Sequence, residues 1–87
     1  MTPLRLRLGK TIRRLREARG VSQEAFAQKA KVHRTTMSEI ERGLSNISVD
    51  IAERIALALD VSLSDLFLEV EAGQGAANRH PRSRLKG

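Results

Sequence analysis

Five polar side chains recur at three- and four-residue steps near the middle of the chain, which places them on one side of a helix. They are Arg34, Thr35, Ser38, Glu39 and Arg42. An arginine in the first turn of such a helix can bind O6 and N7 of guanine with two hydrogen bonds, worth about 1–3 kcal/mol of discrimination. Threonine can donate to a base or offer its methyl group to thymine, and glutamate can accept from cytosine N4. Arg34, Thr35, Ser38 and Glu39 are therefore predicted to read base edges in a major groove.

Two short helices joined by a tight turn would hold this polar face in place. Ser22 is a good N-cap for the first of them, which is predicted from Gln23 to about Ala30. The helical pattern breaks at residues 31–33 and then resumes, with Met37 and Ile40 opposite the polar face. The second helix is predicted from Arg34 to about Arg42, and a glycine at position 43 suits the left-handed residue that often follows a helix.

Three further helices are predicted around this pair, so the expected fold class is all-α, a compact five-helix bundle. One runs from about Leu4 to Arg19, with Leu8, Ile12, Leu15 and Ala18 facing inward. Another runs from about Val49 to Leu59 after Ser48, and a last one begins after Ser62. We predict one domain over residues 1–71. Residues 72–87 lack helical periodicity and carry four basic residues with a proline, which predicts a disordered basic tail.

The run QEAFAQKAKVHRTTMSEIERG resembles the helix-turn-helix of the phage repressor and Cro family, also called the xenobiotic-response-element family. Within it, HRTTMSEIERGLSNIS is most similar to the small controller proteins of restriction–modification systems. The resemblance implies a lambda repressor-like DNA-binding domain, a regulator of transcription with double-stranded DNA as its partner, and a structural pair between Arg16 and Glu41. Two residues depart from the family pattern. Lys31 stands where the turn usually has glycine, and His33 where a better N-cap is expected.

Contacts to the DNA backbone are predicted beside the reading face. Gln23 begins a helix, where unpaired amide groups and a polar side chain together suit a phosphate. Arg42, at the far end of the reading helix, and Thr36 are also predicted to contact phosphate, and the resemblance to controller proteins adds Asn46. The other interpretation of Gln23 is an ordinary solvated residue in a first turn.

The last two predicted helices carry more apolar residues than one buried stripe requires. Leu57, Leu63, Phe67 and Leu68 are predicted to form the interface of a homodimer, which is how this motif usually reads a short inverted repeat. A thick monomer core remains the alternative.

The distribution of charge does not by itself identify the reading surface. The formal net charge is +6. Residues 1–20 carry +6, residues 21–71 carry −4 and residues 72–87 carry +4. Basic ends favour a polyanionic partner, but the helix-turn-helix itself is not basic. The motif, rather than the overall charge, therefore has to locate the DNA contacts.

Composition excludes several other classes of protein. Cysteine is absent, so neither disulfides nor a thiolate zinc site can form. No apolar run approaches the ~18 residues of a membrane span, and no signal peptide is recognisable, so a cytoplasmic protein is expected. His33 and His80 lack partners at metal-ligand spacing, so no enzyme activity, cofactor or metal is expected. A built-in small-molecule domain is not expected in a chain of 87 residues, so no small-molecule effector is expected either. Single-strand RNA readers need exposed aromatic residues, whereas Phe26 and Phe67 occupy core positions.

One alternative from a different functional class stays open. An antitoxin-like protein of the same fold would neutralise a partner protein, with the basic tail as its candidate binding segment. An adaptor would keep the fold without binding DNA. The neighbouring gene would discriminate: a nuclease–methylase pair favours a controller, and a small toxin gene favours an antitoxin.

Overall fold

A computed structural model describes residues 2–73, which form five α-helices. They are α1 (Leu4–Ala18), α2 (Gln23–Ala30), α3 (Arg34–Glu41), α4 (Val49–Ala58) and α5 (Leu63–Ala72). The all-α prediction is confirmed, and the first four helices begin where predicted and end within one residue of the expected position. The predicted basic tail falls almost entirely on residues 74–87, which lie outside the described part of the chain, so the boundary at residue 72 stays a prediction.

Three of the five helices begin at a serine whose side chain caps the first turn. The hydroxyl of Ser22 accepts from the Ala25 amide at 3.1 Å, as Ser48 does from Ile51. Ser62 accepts from the Asp65 amide at 2.9 Å. Each bond satisfies one of the amides that a helix start leaves unpaired. At α3 the N-cap is His33, whose side chain makes no capping bond.

Four helices end in the same motif, in which a left-handed residue closes the last turn with two backbone hydrogen bonds. At the end of α2 the left-handed residue is Lys31, whose amide donates to Gln28 while that of Val32 donates to Ala27. The corresponding residues after α1, α3 and α4 are Gly20, Gly43 and Asp60. Two of these four positions thus hold a residue with a Cβ, and the one at Lys31 is the departure from the family pattern seen in the sequence.

Replacing Lys31 with glycine is expected to raise the free energy of unfolding by about 1 kcal/mol, because a side chain at φ 59° is strained. Gly20→Ala supplies the reverse substitution at φ 69°, where an added Cβ would have no atom within 4 Å. Gly20→Ala should lower the free energy of unfolding by about the same amount. Urea unfolding followed by circular dichroism measures both. A loss of stability in Lys31→Gly would show that the lysine makes compensating contacts.

The core lies where all five helices meet. Its largest fully buried side chains include Phe26 from α2, Met37 from α3 and Leu66 from α5. The expectation that Ala18 faces inward is wrong, since this residue is exposed. It lies six positions beyond Ile12, about 240° around the helix, and so falls off the buried stripe.

The helix α3 packs between α1 and α2. Two contacts with α1, one steric and one a hydrogen bond, hold its C-terminal end. Gly9 lies directly against the carbonyl groups of Ile40 and Glu41, with no room for a Cβ. Nε of Arg5 donates to the Gly43 carbonyl at 3.0 Å, just past the end of α3. These contacts fix the C-terminal end of α3 against α1 and leave the polar side of α3 free.

Candidate nucleic-acid interface

The free side of α3 carries the four residues predicted to read bases. Arg34 and Thr35 are exposed, and Ser38 and Glu39 are half-buried. On the opposite side, three residues are buried: Met37, Ile40 and Glu41. The apolar side anchors the helix in the core, so the polar side is held in a fixed orientation that a groove of DNA could approach.

The four residues predicted to contact phosphate lie on three different elements, and one of them, Asn46, also lines an apolar groove. Gln23 is at the first position of α2 and Thr36 is in the first turn of α3, both half-buried. Arg42 follows the last residue of α3, and Asn46 lies in the loop to α4, both exposed. Within residues 2–73, the backbone amides of Gln23 and Glu24 have no hydrogen-bond acceptor, so the start of α2 keeps the donors that an anion would need.

The structure brings Arg16 and Glu41 together as a buried, two-pronged ion pair. Nε of Arg16 donates to Oε2 of Glu41 at 2.7 Å, and Nη2 donates to Oε1 at 3.0 Å. The side chains are 9% and 3% exposed, and Nη1 of Arg16 also donates to the Val21 carbonyl. The hydrogen bond to Glu41 raises the pKa of Arg16, although burial acts in the opposite direction. The guanidinium therefore stays charged wherever the protein is folded, and it connects α1 to the end of α3.

The side chain of Gln23 belongs to the same cluster, which the sequence analysis did not anticipate. Its amide nitrogen donates to Oε1 of Glu41 at 3.1 Å. This oxygen therefore accepts from Arg16 and Gln23 at once. The second hydrogen of the Gln23 amide remains available to a ligand. No local sequence signal links residues 23 and 41, since they lie on different helices and the bond exists only after α2 and α3 have packed.

An apolar groove of about 540 Å³ opens beside the α3–α4 loop. Leu63 and Phe67, two of the four predicted interface residues, line it, together with Leu4 and Val49. The other two, Leu57 and Leu68, are 68% and 53% exposed and lie outside the groove lining. Leu4 and Val49 were missed because each stands at the start of a helix, outside the periodic apolar stripe.

Among residues 2–73, no three side chains of the metal-binding types come together around a point that could hold an ion. None of the five helices combines the length and the apolar character that crossing a membrane requires.

Several known proteins are similar to this chain in both sequence and fold. Residues 12–66 match the helix-turn-helix family HTH_3. The control protein C.BamHI of Bacillus amyloliquefaciens is 42% identical over 65 residues, which cover 74% of this chain and 80% of the relative. The control protein C.MunI of a Mycoplasma species is 38% identical over 72 residues, covering 82% of this chain and 97% of the relative. The resemblance to controller proteins is thereby confirmed.

A solved structure gives the same result. The restriction–modification controller protein C.AhdI of Aeromonas hydrophila superposes with a TM-score of 0.70 at 35% identity, covering 72% of this chain and 96% of that one. The matched family and proteins indicate regulation of transcription by a DNA-binding helix-turn-helix.

Proposed function

The chain belongs to the helix-turn-helix family of DNA-binding transcription regulators, and from this membership we propose that it is a sequence-specific regulator that reads a short inverted repeat as a homodimer. Each subunit inserts α3 into one major groove, with half-sites one helical turn, about 34 Å, or a multiple of it apart. Such a protein acts where the DNA is, which supports a cytoplasmic location.

The observation that carries the proposal is the two-sided character of α3. Arg34 and Thr35 are exposed in its first turn, while Met37 and Ile40 hold the helix in the core. The first turn of a recognition helix penetrates deepest into a groove. The exposure of this turn supports a role for Arg34 in binding guanine and for Thr35 in contacting the neighbouring base, with Ser38 and Glu39 one turn further along.

Apolar surface on the side of the α3–α4 loop supports the homodimer. Leu4 and Val49 are 50% and 74% exposed at the rim of the groove, and Leu63 and Phe67 form part of its wall. A second copy packing there would bury these side chains, and a two-fold axis would bring the same patch from both subunits together. Leu57 and Leu68, which are exposed on α4 and α5, remain part of the proposed interface.

Selection of binding sites from a random duplex pool at about 150 mM salt tests the whole proposal. We expect a consensus made of two inverted half-sites. A single half-site would contradict the homodimer while leaving the reading role of α3 in place. Recovery of no consensus would overturn the proposed function and favour the antitoxin-like or adaptor interpretation.

Arg34→Ala is expected to abolish the preference for one base in each half-site and to weaken binding to the selected site by about 5- to 150-fold, equivalent to 1–3 kcal/mol. The expected reason is the loss of two hydrogen bonds to guanine. Gln23→Ala is the matched comparison, since losing a phosphate contact should weaken all sequences alike. Repeating the selection with each variant measures both effects. Unchanged affinity and base preference in Arg34→Ala would show that this arginine does not read the site.

The likeness to controller proteins also suggests which genes this regulator acts on. We infer a role in controlling a restriction–modification system, supported by 42% and 38% identity to two control proteins. A nuclease–methylase pair beside the gene, with the selected site in its promoter region, is the expected arrangement. A toxin gene in that place would favour the antitoxin interpretation.

A further inference from the structure

Three helices meet at one carboxylate. Glu41, at the end of α3, accepts from Arg16 of α1 and from Gln23 of α2. With Glu41 only 3% exposed, little water competes for these bonds. The residue thus joins the end of the reading helix to the residue at the start of α2 that is proposed to contact phosphate.

Holding Gln23 in place matters because glutamine is a flexible side chain. A free glutamine loses rotamer freedom when it binds a ligand, and ordering such a side chain weakens an interface by about 2- to 10-fold. In this protein the Gln23 amide nitrogen donates to Oε1 of Glu41 at 3.1 Å. The second amide hydrogen and the unpaired backbone amides at the start of α2 are then presented together.

We propose that Glu41 is a positioning residue for DNA binding, which orders Gln23 and fixes the start of α2 relative to the reading face of α3. This role rests on the proposed function and goes beyond the structural pairing with Arg16. Because Glu41 acts through a phosphate contact, it sets the affinity for every sequence and leaves the base preference unchanged.

Separating this role from simple stabilisation requires a variant that loses the anchor and keeps the fold. Replacing both members of a buried ion pair with apolar residues of similar volume is often neutral or stabilising. The double variant Arg16→Met with Glu41→Leu meets this condition and leaves Gln23 without its acceptor. We refer to it as the pair-replaced protein.

The experiment compares wild type, Gln23→Ala, the pair-replaced protein and the pair-replaced protein with Gln23→Ala, each titrated with the selected site and with a random duplex. The pair-replaced protein should bind both duplexes about 2- to 10-fold more weakly than wild type. Gln23→Ala should clearly weaken DNA binding by the wild-type protein. In the pair-replaced protein it should weaken DNA binding by less than about 2-fold, since an unanchored amide contributes little. Equal effects of Gln23→Ala in both backgrounds would show that Glu41 is only structural.

A second measurement needs no variant and so does not depend on whether the pair-replaced protein folds. NMR relaxation of the glutamine side-chain amides in the free wild-type protein should give a higher order parameter for Gln23, approaching the ~0.85 of rigid backbone, than for Gln28, which should fall below ~0.6. Gln28 lies on the same helix and is exposed, which makes it an internal reference. Equal disorder of the two side chains would overturn the positioning role.

The two proposals fail in distinguishable ways. If wild type binds no duplex preferentially, the proposed function is wrong and the positioning role falls with it. If wild type selects a site and Gln23→Ala weakens DNA binding equally in the wild-type and pair-replaced proteins, only the positioning role is wrong.

Discussion

Replacing Glu41 with alanine is expected to lower the free energy of unfolding by about 3–5 kcal/mol. The substitution leaves the guanidinium of Arg16, only 9% exposed, without its hydrogen-bonded carboxylate partner, so that the half-exposed carboxylate of Glu17, 3.9 Å away, is the nearest negative charge left to it. A buried charge that loses its partner keeps its full desolvation penalty, which is larger than the loss of one hydrogen bond. Since domains of this kind are stable by roughly 5–15 kcal/mol in all, this single change would remove a large part of the stability.

Urea unfolding of purified protein measures the effect, provided that the slope with denaturant stays constant. Arg13→Ala is the matched control, because Arg13 pairs with Glu17 at 3.0 Å but both side chains are more than half exposed. Its loss should change the free energy of unfolding by less than about 1 kcal/mol. The pair-replaced protein should regain most of the stability that Glu41→Ala loses. If Glu41→Ala were as mild as Arg13→Ala, the buried pair would be energetically unimportant.

Replacing Gly9 with alanine is expected to lower the free energy of unfolding by about 2–3 kcal/mol, although alanine is the better helix former by about 1 kcal/mol. The added Cβ would collide with the carbonyl oxygen of Ile40 and lie 2.7 Å from that of Glu41. Both obstacles are backbone atoms, which cannot turn aside as a flexible side chain could. The helices α1 and α3 would have to separate, which would loosen the packing of Leu8 and Ile12 against the core.

Lys10→Ala is the control for this prediction. Lys10 is the next residue of α1 and is exposed, so its replacement should change the free energy of unfolding by no more than about 0.5 kcal/mol. Denaturant unfolding of the two variants in parallel compares the buried, sterically blocked position with an exposed position on the same helix. A stabilised Gly9→Ala would mean that α1 can move away from α3 without loss, and that the close approach does not fix the reading helix.

The same displacement should reach the DNA-binding surface. Gly9 and Arg5 hold the C-terminal end of α3, and the residues proposed to read bases lie on the opposite side of that helix. A displacement of about 1 Å between a side chain and a base is large compared with the range of donor–acceptor distances in a good hydrogen bond. Gly9→Ala protein that remains folded is therefore useful as a probe of how strictly α3 must be oriented.

The sequence by itself determined the features that depend on neighbouring residues. The serines at positions 22, 48 and 62 mark helix starts because their hydroxyl groups cap amides three residues along the same chain. Periodic apolar residues such as Ile12 and Met37 identified the buried side of each helix, and both are fully buried. Strong local signals of this kind give the five helices and the family, and the proposal that α3 reads the DNA follows from the family.

Other features follow from the family resemblance rather than from local physics. The distance in sequence between Arg16 and Glu41 carries no signal of pairing, and only the likeness to relatives implied it. The departure at Lys31 was visible in the same way, and its left-handed conformation shows that the turn keeps its geometry when the glycine is missing. Asp60, which adopts the same conformation after α4, was not anticipated, because aspartate also occurs in many other kinds of turn.

Only the tertiary structure decided how the helices are held against one another. The contact of Arg5 with Gly43 spans 38 positions, and that of Gln23 with Glu41 spans 18. The groove lined by Leu4 and Val49 also joins segments that are distant in the chain. Such contacts depend on crossing angles and side-chain rotamers that are set when the whole core packs. Local sequence therefore determined which helices form and which sides they bury, and packing determined which polar groups meet at Glu41 and how firmly α3 is held.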